Sequence, residues 1–78
     1  MKNAQAIRAF GVHLRRLRES KELSQQQLAD LADVAKITVQ RIENAKFTAT
    51  LDVLISLSDA MGVPLEEMMN FSVSKEKK

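Results

Sequence analysis

The sequence predicts an all-α fold of five helices, and three observations carry that prediction. Apolar residues recur at i, i+3 and i+4 spacing in every segment of the chain. No stretch shows the sustained alternation of a strand, and no Asn-Gly or Asp-Gly turn is present. Ser24 followed by Gln27 is a capping box, the signature of a helix start. A length of 78 residues holds one domain. Residues 1–71 are expected to form it, leaving 72–78 as a flexible basic tail.

The first helix is predicted from about Asn3 to Ser20, with Ile7, Phe10, Leu14 and Leu17 on one stripe. Gly11 lies on the same side, where a missing side chain lets another helix approach. Arg18 also lies there, one turn after Leu14, so a charge on a core stripe requires a partner. The second helix starts after Ser24 and runs to Ala32, with Leu28, Leu31 and Ala32 as its apolar face. After a break at Asp33 and Val34, the third helix spans about Lys36 to Asn44. Ala35, Val39 and Ile42 face inward, and Ile37, Gln40, Arg41 and Asn44 face outward, flanked by Lys36 and Thr38. A loop through Lys46, Phe47, Thr48 and Ala49 leads to Thr50, the N-cap of a fourth helix. Its inner stripe is Leu51, Leu54, Leu57, Ser58 and Met61, with Asp52, Ser56 and Asp59 outside. Gly62 ends that helix, and Pro64 opens a short fifth one to about Asn70, with Leu65, Met68 and Met69 apolar.

Composition narrows the function classes. Without cysteine there are no disulfides or thiolate metal sites, which fits a reducing compartment. Apolar residues make up 45% of the chain, as in globular proteins, but no run approaches the roughly 20 residues of a membrane span. The start, Met1-Lys2-Asn3-Ala4-Gln5, has no apolar stretch of a signal peptide, so a cytoplasmic location is expected. The net charge of +2 is unevenly spread: residues 1–50 carry nine Lys/Arg and five Asp/Glu, whereas residues 51–74 carry four acids and no base. The larger, basic part suits a polyanion. The competing view is that helix surfaces simply carry mixed charge.

Two short helices joined by a tight turn, the second with a polar outer face, make a helix-turn-helix. A third helix of about nine residues is about 13 Å long, and the B-DNA major groove, about 12 Å wide, admits one helix. The second helix of such a unit presents its first residues to base edges while the first crosses the backbone. Free N–H groups near Gln25 suit a phosphate. Ser24-Gln25-Gln26-Gln27-Leu28-Ala29, Val34, Val39, Arg41-Ile42-Glu43-Asn44, Leu54, Leu57 and Gly62-Val63-Pro64-Leu65-Glu66-Glu67-Met68 together resemble the Cro/C1 (Xre-type) helix-turn-helix family. The resemblance spans about Phe10 to Met69 and implies a five-helix, phage-repressor-like domain that binds DNA, usually as a symmetric dimer. It also implies a phosphate-contacting glutamine at Gln25, base-reading positions at Lys36, Ile37, Gln40 and Arg41, and a buried arginine–glutamate pair at Arg18 and Glu43. The chain departs from the family in carrying Glu22, Asp33 and Ala45 where glycine is frequent, and Ala35 where a Ser or Thr cap is frequent.

Each candidate has a plainer alternative. Arg41 and Lys36 suit guanine O6/N7 or phosphate, against a role as solvated surface bases. Ile37 suits a thymine methyl, against a stray surface apolar residue. Thr38, Asn44 and Lys46 complete the candidate DNA surface. Arg15, Arg16 and Lys21 read as solvated charges, His13 as a lone surface histidine, and Glu66 and Glu67 as acids suited to a helix start. Val53, Ile55, Met69 and Phe71 are candidates for a homodimer interface, against the alternative that Met69 and Phe71 fold back onto their own core. The expected function is therefore a sequence-specific double-stranded DNA-binding transcription regulator, a repressor or operon controller, acting as a dimer on a palindromic operator. The alternative is an antitoxin or adaptor whose apolar C-terminal surface binds a protein. No nucleophile–base set, metal motif or phosphate loop points to an enzyme, and neither a cofactor nor a membrane partner is expected.

Overall fold

Helix ends, more than helix interiors, decide where this chain turns. The computed structural model describes residues 3–46 and 49–72, which form α1 (Ala4–Ser20), α2 (Gln25–Ala32), α3 (Lys36–Glu43), α4 (Leu51–Met61) and α5 (Leu65–Met68). The all-α, five-helix prediction holds. Phe47, Thr48 and residues 73–78, most of the expected tail, lie outside the described residues.

Two starts are capped by side chains. Ser24 Oγ accepts from the Gln27 N–H (3.0 Å) while Gln27 Oε1 accepts from the Ser24 N–H (2.8 Å), closing the capping box. Thr50 Oγ1 accepts from the Val53 N–H (3.2 Å). Ala35 and Pro64 precede α3 and α5 without a side-chain cap.

Four helices stop in the same way. The N–H of Leu23, Val34, Lys46 and Val63 each donates to the carbonyl five residues back, at Arg18, Ala29, Arg41 and Ser58. This closure requires a left-handed residue just before the donor. Glu22 (φ 59°), Asp33 (φ 60°), Ala45 (φ 60°) and Gly62 (φ 70°) fill that place. Only one is glycine; the other three bear the Cβ–carbonyl crowding that makes this region costly for L-residues. Ala45→Gly is expected to raise the free energy of unfolding by about 0.5–1 kcal/mol, relief of strain outweighing the added freedom of the unfolded chain. Asp33→Gly should gain less, because aspartate tolerates this conformation better. Urea denaturation of the two variants checks the order.

The core is centred on Leu14, Leu28, Val39, Ile42, Leu57 and Met68, all fully buried. Ala29 and Ala32 bring α2 close to its neighbours, and Phe10, Leu17, Leu23, Val53, Leu54 and Leu65 wrap the edges. At Gly11 the missing side chain lets α1 lie directly against the backbone of α3. A Cβ placed there would stand 2.6 Å from the Ile42 carbonyl oxygen and 2.7 Å from that of Glu43.

Several side chains differ from expectation. Leu31 is 60% exposed because the buried face of α2 centres on Leu28, Ala29 and Ala32, and at 3.6 residues per turn Leu31 stands roughly 105° from that centre. Leu51 is 63% exposed: as the first residue of α4 it leans toward the helix start, beyond the layer beneath. Ala35 is exposed because it is the extended residue before α3 (ψ 146°), so helical spacing does not reach it. Ser56 is half-buried rather than outward. His13 is also half-buried, its Nε2 donating to the Glu67 carbonyl (3.1 Å) and its ring 5.9 Å from that of Phe71. Phe71 packs on Phe10 as well, centroids 5.6 Å apart, so the chain after α5 folds back along α1.

Candidate nucleic-acid interface

The inward face of α3 is Val39, Ile42 and Glu43, all buried. Helical geometry then turns Lys36, Ile37, Arg41 and Asn44 outward, and all four are exposed, with Thr38 and Gln40 half-buried at the margins. Ile37 keeps 49% of its surface accessible. Lys46, just past the helix, is exposed too, and its N–H closes α3 on the Arg41 carbonyl (2.7 Å). Eight residues make α3 about 12 Å long, close to the width of the major groove. Its exposed face carries Lys36 and Arg41 and no acid, since the one acid of α3 is the buried Glu43. Such a face attracts a polyanion and offers donors to base edges.

Behind this face lies a buried charge network. Arg18 Nε donates to Glu43 Oε2 (2.7 Å) and Nη2 to Glu43 Oε1 (3.1 Å), a two-pronged pair whose side chains are 9% and 2% exposed. Arg18 Nη1 donates to the Leu23 carbonyl (2.7 Å), binding the end of α1 to the turn that follows. The hydrogen bond to Glu43 holds the guanidinium above its ordinary pKa; burial works against this, and the charges of Glu43 and Glu19 add to it.

Gln25, the first residue of α2, is half-buried and joins the same network, its Nε2 donating to Glu43 Oε1 (3.0 Å). Reading the sequence puts Gln25 among DNA contacts and Arg18 with Glu43 among structural residues, with nothing to connect them. Spacing within one helix cannot reveal a contact between α2 and α3 across 18 residues. Ser24 Oγ takes the Gln27 N–H, while the N–H groups of Gln25 and Gln26 find no partner among the described residues. The start of α2 therefore presents two free donors beside an amide side chain.

Of the four residues expected at a dimer interface, Ile55 and Met69 are exposed, whereas Val53 and Phe71 are half-buried in their own fold.

An α2–turn–α3 unit whose second helix has a basic, acid-free outer face defines the class of helix-turn-helix DNA-binding proteins. The helix-turn-helix family model matches residues 14–68, most of the chain. Among solved structures, the restriction-modification controller protein C.AhdI from Aeromonas hydrophila is similar, with a TM-score of 0.79 and 30% identity over 81% of this chain and 96% of that one. The clp gene regulator ClgR from C. glutamicum shares the fold, with a TM-score of 0.73 and 23% identity over 78% of this chain and 79% of that one. No curated protein matches by sequence. The chain belongs to the Cro/C1-type helix-turn-helix family of DNA-binding transcription regulators.

Proposed function

We propose that this protein is a sequence-specific regulator that reads a palindromic operator as a homodimer, in the manner of a repressor or a controller of its own operon. The observation that carries this reading is the outer face of α3, where Lys36, Ile37, Arg41 and Asn44 are exposed with no acid among them. Arg41 would pair with guanine, Ile37 with a thymine methyl, and Lys36, Gln40 and Asn44 with neighbouring bases or phosphates. Gln25, Thr38 and Lys46 would hold the backbone and set the register. Similarity to a protein named as a restriction-modification controller supports a role in gene control.

One such unit covers only a few base pairs, too little selectivity against the competing sites of a genome. Two units about a two-fold axis read half-sites about 34 Å apart. Leu51 and Ile55, one turn apart on α4, and Met69 after α5 supply exposed apolar surface for the pairing, with Val53 and Phe71 adding only what their own fold leaves uncovered.

Arg41→Ala is expected to cost about 1–3 kcal/mol at its cognate base and to relax selectivity at that position. Gln25→Ala should weaken binding evenly across sequences. Competition gel shifts with single-base operator variants check both, and an Arg41→Ala protein with undiminished selectivity would remove the assignment.

A further inference from the structure

We infer that Glu43 is a positioning residue for the DNA backbone: its carboxylate fixes the side-chain amide of Gln25 with a donor facing outward, and Arg18 cancels the charge this would otherwise set beside a phosphate. The inference rests on the proposed contact between Gln25 and phosphate. Glu43 Oε1 accepts from Gln25 Nε2 at 3.0 Å and from Arg18 Nη2 at 3.1 Å. An ionised carboxylate only accepts, so it holds the amide nitrogen and repels the amide oxygen. Turning the amide over would set Oε1 against Glu43, and the carboxylate forbids it. Nε2 carries two hydrogens and Glu43 takes one; the second remains for a ligand oxygen, beside the free N–H groups of Gln25 and Gln26.

The three residues come from three elements, so the buried pair between α1 and α3 also sets the chemistry at the start of α2. A bare carboxylate next to the amide would repel a phosphate. With Arg18 on both of its oxygens it presents a neutral pair instead.

A double-mutant cycle on DNA affinity tests this, with Gln25→Ala, Glu43→Gln and the combined variant measured on operator and on unrelated duplex. Glu43→Gln keeps shape but ends the discrimination between amide nitrogen and oxygen. Gln25→Ala is expected to bind operator and unrelated duplex more weakly by the same factor, about tenfold, the value of one charge-assisted hydrogen bond, and the same change should cost much less in the Glu43→Gln background. The combined variant should lose no more than Gln25→Ala alone, because nothing is left to orient. If Glu43→Gln unfolds, Arg18→Met with Glu43→Leu takes its place in the cycle, since removing both charges leaves none orphaned. Losses that multiply in the combined variant overturn the positioning role while leaving the phosphate contact standing. A Gln25→Ala protein that binds like the parent overturns the phosphate contact and the inference with it.

Discussion

Glu43→Ala is expected to lower the free energy of unfolding by about 3–5 kcal/mol, because it strands Arg18 as a buried charge with two of its donors unpaired. Only the Nη1 bond to the Leu23 carbonyl survives. A domain of 78 residues has a total stability on the order of 4–12 kcal/mol, so the loss takes a large share. At about 4–8 °C per kcal/mol for a domain of this size, the melting temperature should fall by more than about 10 °C, read by circular dichroism. A variant melting within about 2 °C of the parent would contradict the pair's role. Replacing both partners, Arg18→Met with Glu43→Leu, should recover most of the loss. The pH dependence has a definite sign. A folded-state pKa raised above the unfolded value contributes stability that is complete below the unfolded value and lost as pH rises through the folded one. For arginine that window lies in strong alkali, so Arg18 should contribute undiminished stability throughout the neutral and mildly alkaline range.

Gly11→Ala should cost about 3 kcal/mol, although alanine is the better helix former by about 1 kcal/mol. The new methyl would meet the carbonyl oxygens of Ile42 and Glu43, backbone atoms that cannot swing aside, and α1 and α3 would have to part. Because α3 carries the candidate reading face, operator affinity should fall even where the variant remains folded. Gly62 is the internal control: it has a φ of +70° but nothing within 4 Å of a Cβ, so Gly62→Ala bears conformational strain alone, about 1 kcal/mol. Urea denaturation should rank Gly11→Ala well below Gly62→Ala. The reverse order would mean that helix approach at Gly11 does not limit the fold.

What was legible in the sequence divides along physical lines. Local signals were clear: the Ser24–Gln27 box, the Thr50 cap and the Gly62 stop rest on residues adjacent in the chain. Burial of Leu14, Leu28, Val39, Ile42 and Leu57 followed from helical periodicity. The same spacing misplaced Leu31 and Leu51, since a short helix shows several candidate stripes and only packing selects one. The left-handed stops at Glu22 and Ala45 carried no glycine to announce them and entered only through comparison with the family. At the candidate site, the exposed face of α3 could be read from the sequence. The bond from Gln25 to Glu43 could not, because it depends on how α2 crosses α3. His13 and Phe71 were obscured for the same reason, their partners lying on helices far apart in the chain.

In the proposed function α3 reads duplex DNA, two copies at a time. Selection of bound sequences from a pool of random duplex DNA tests it most directly. The expected result is one enriched motif that is an inverted repeat, its half-sites centred about 34 Å apart on one face of the duplex, with a guanine in each half-site whose enrichment disappears for Arg41→Ala. Recovery of no motif, or of one that the Arg41→Ala protein selects unchanged, would contradict it.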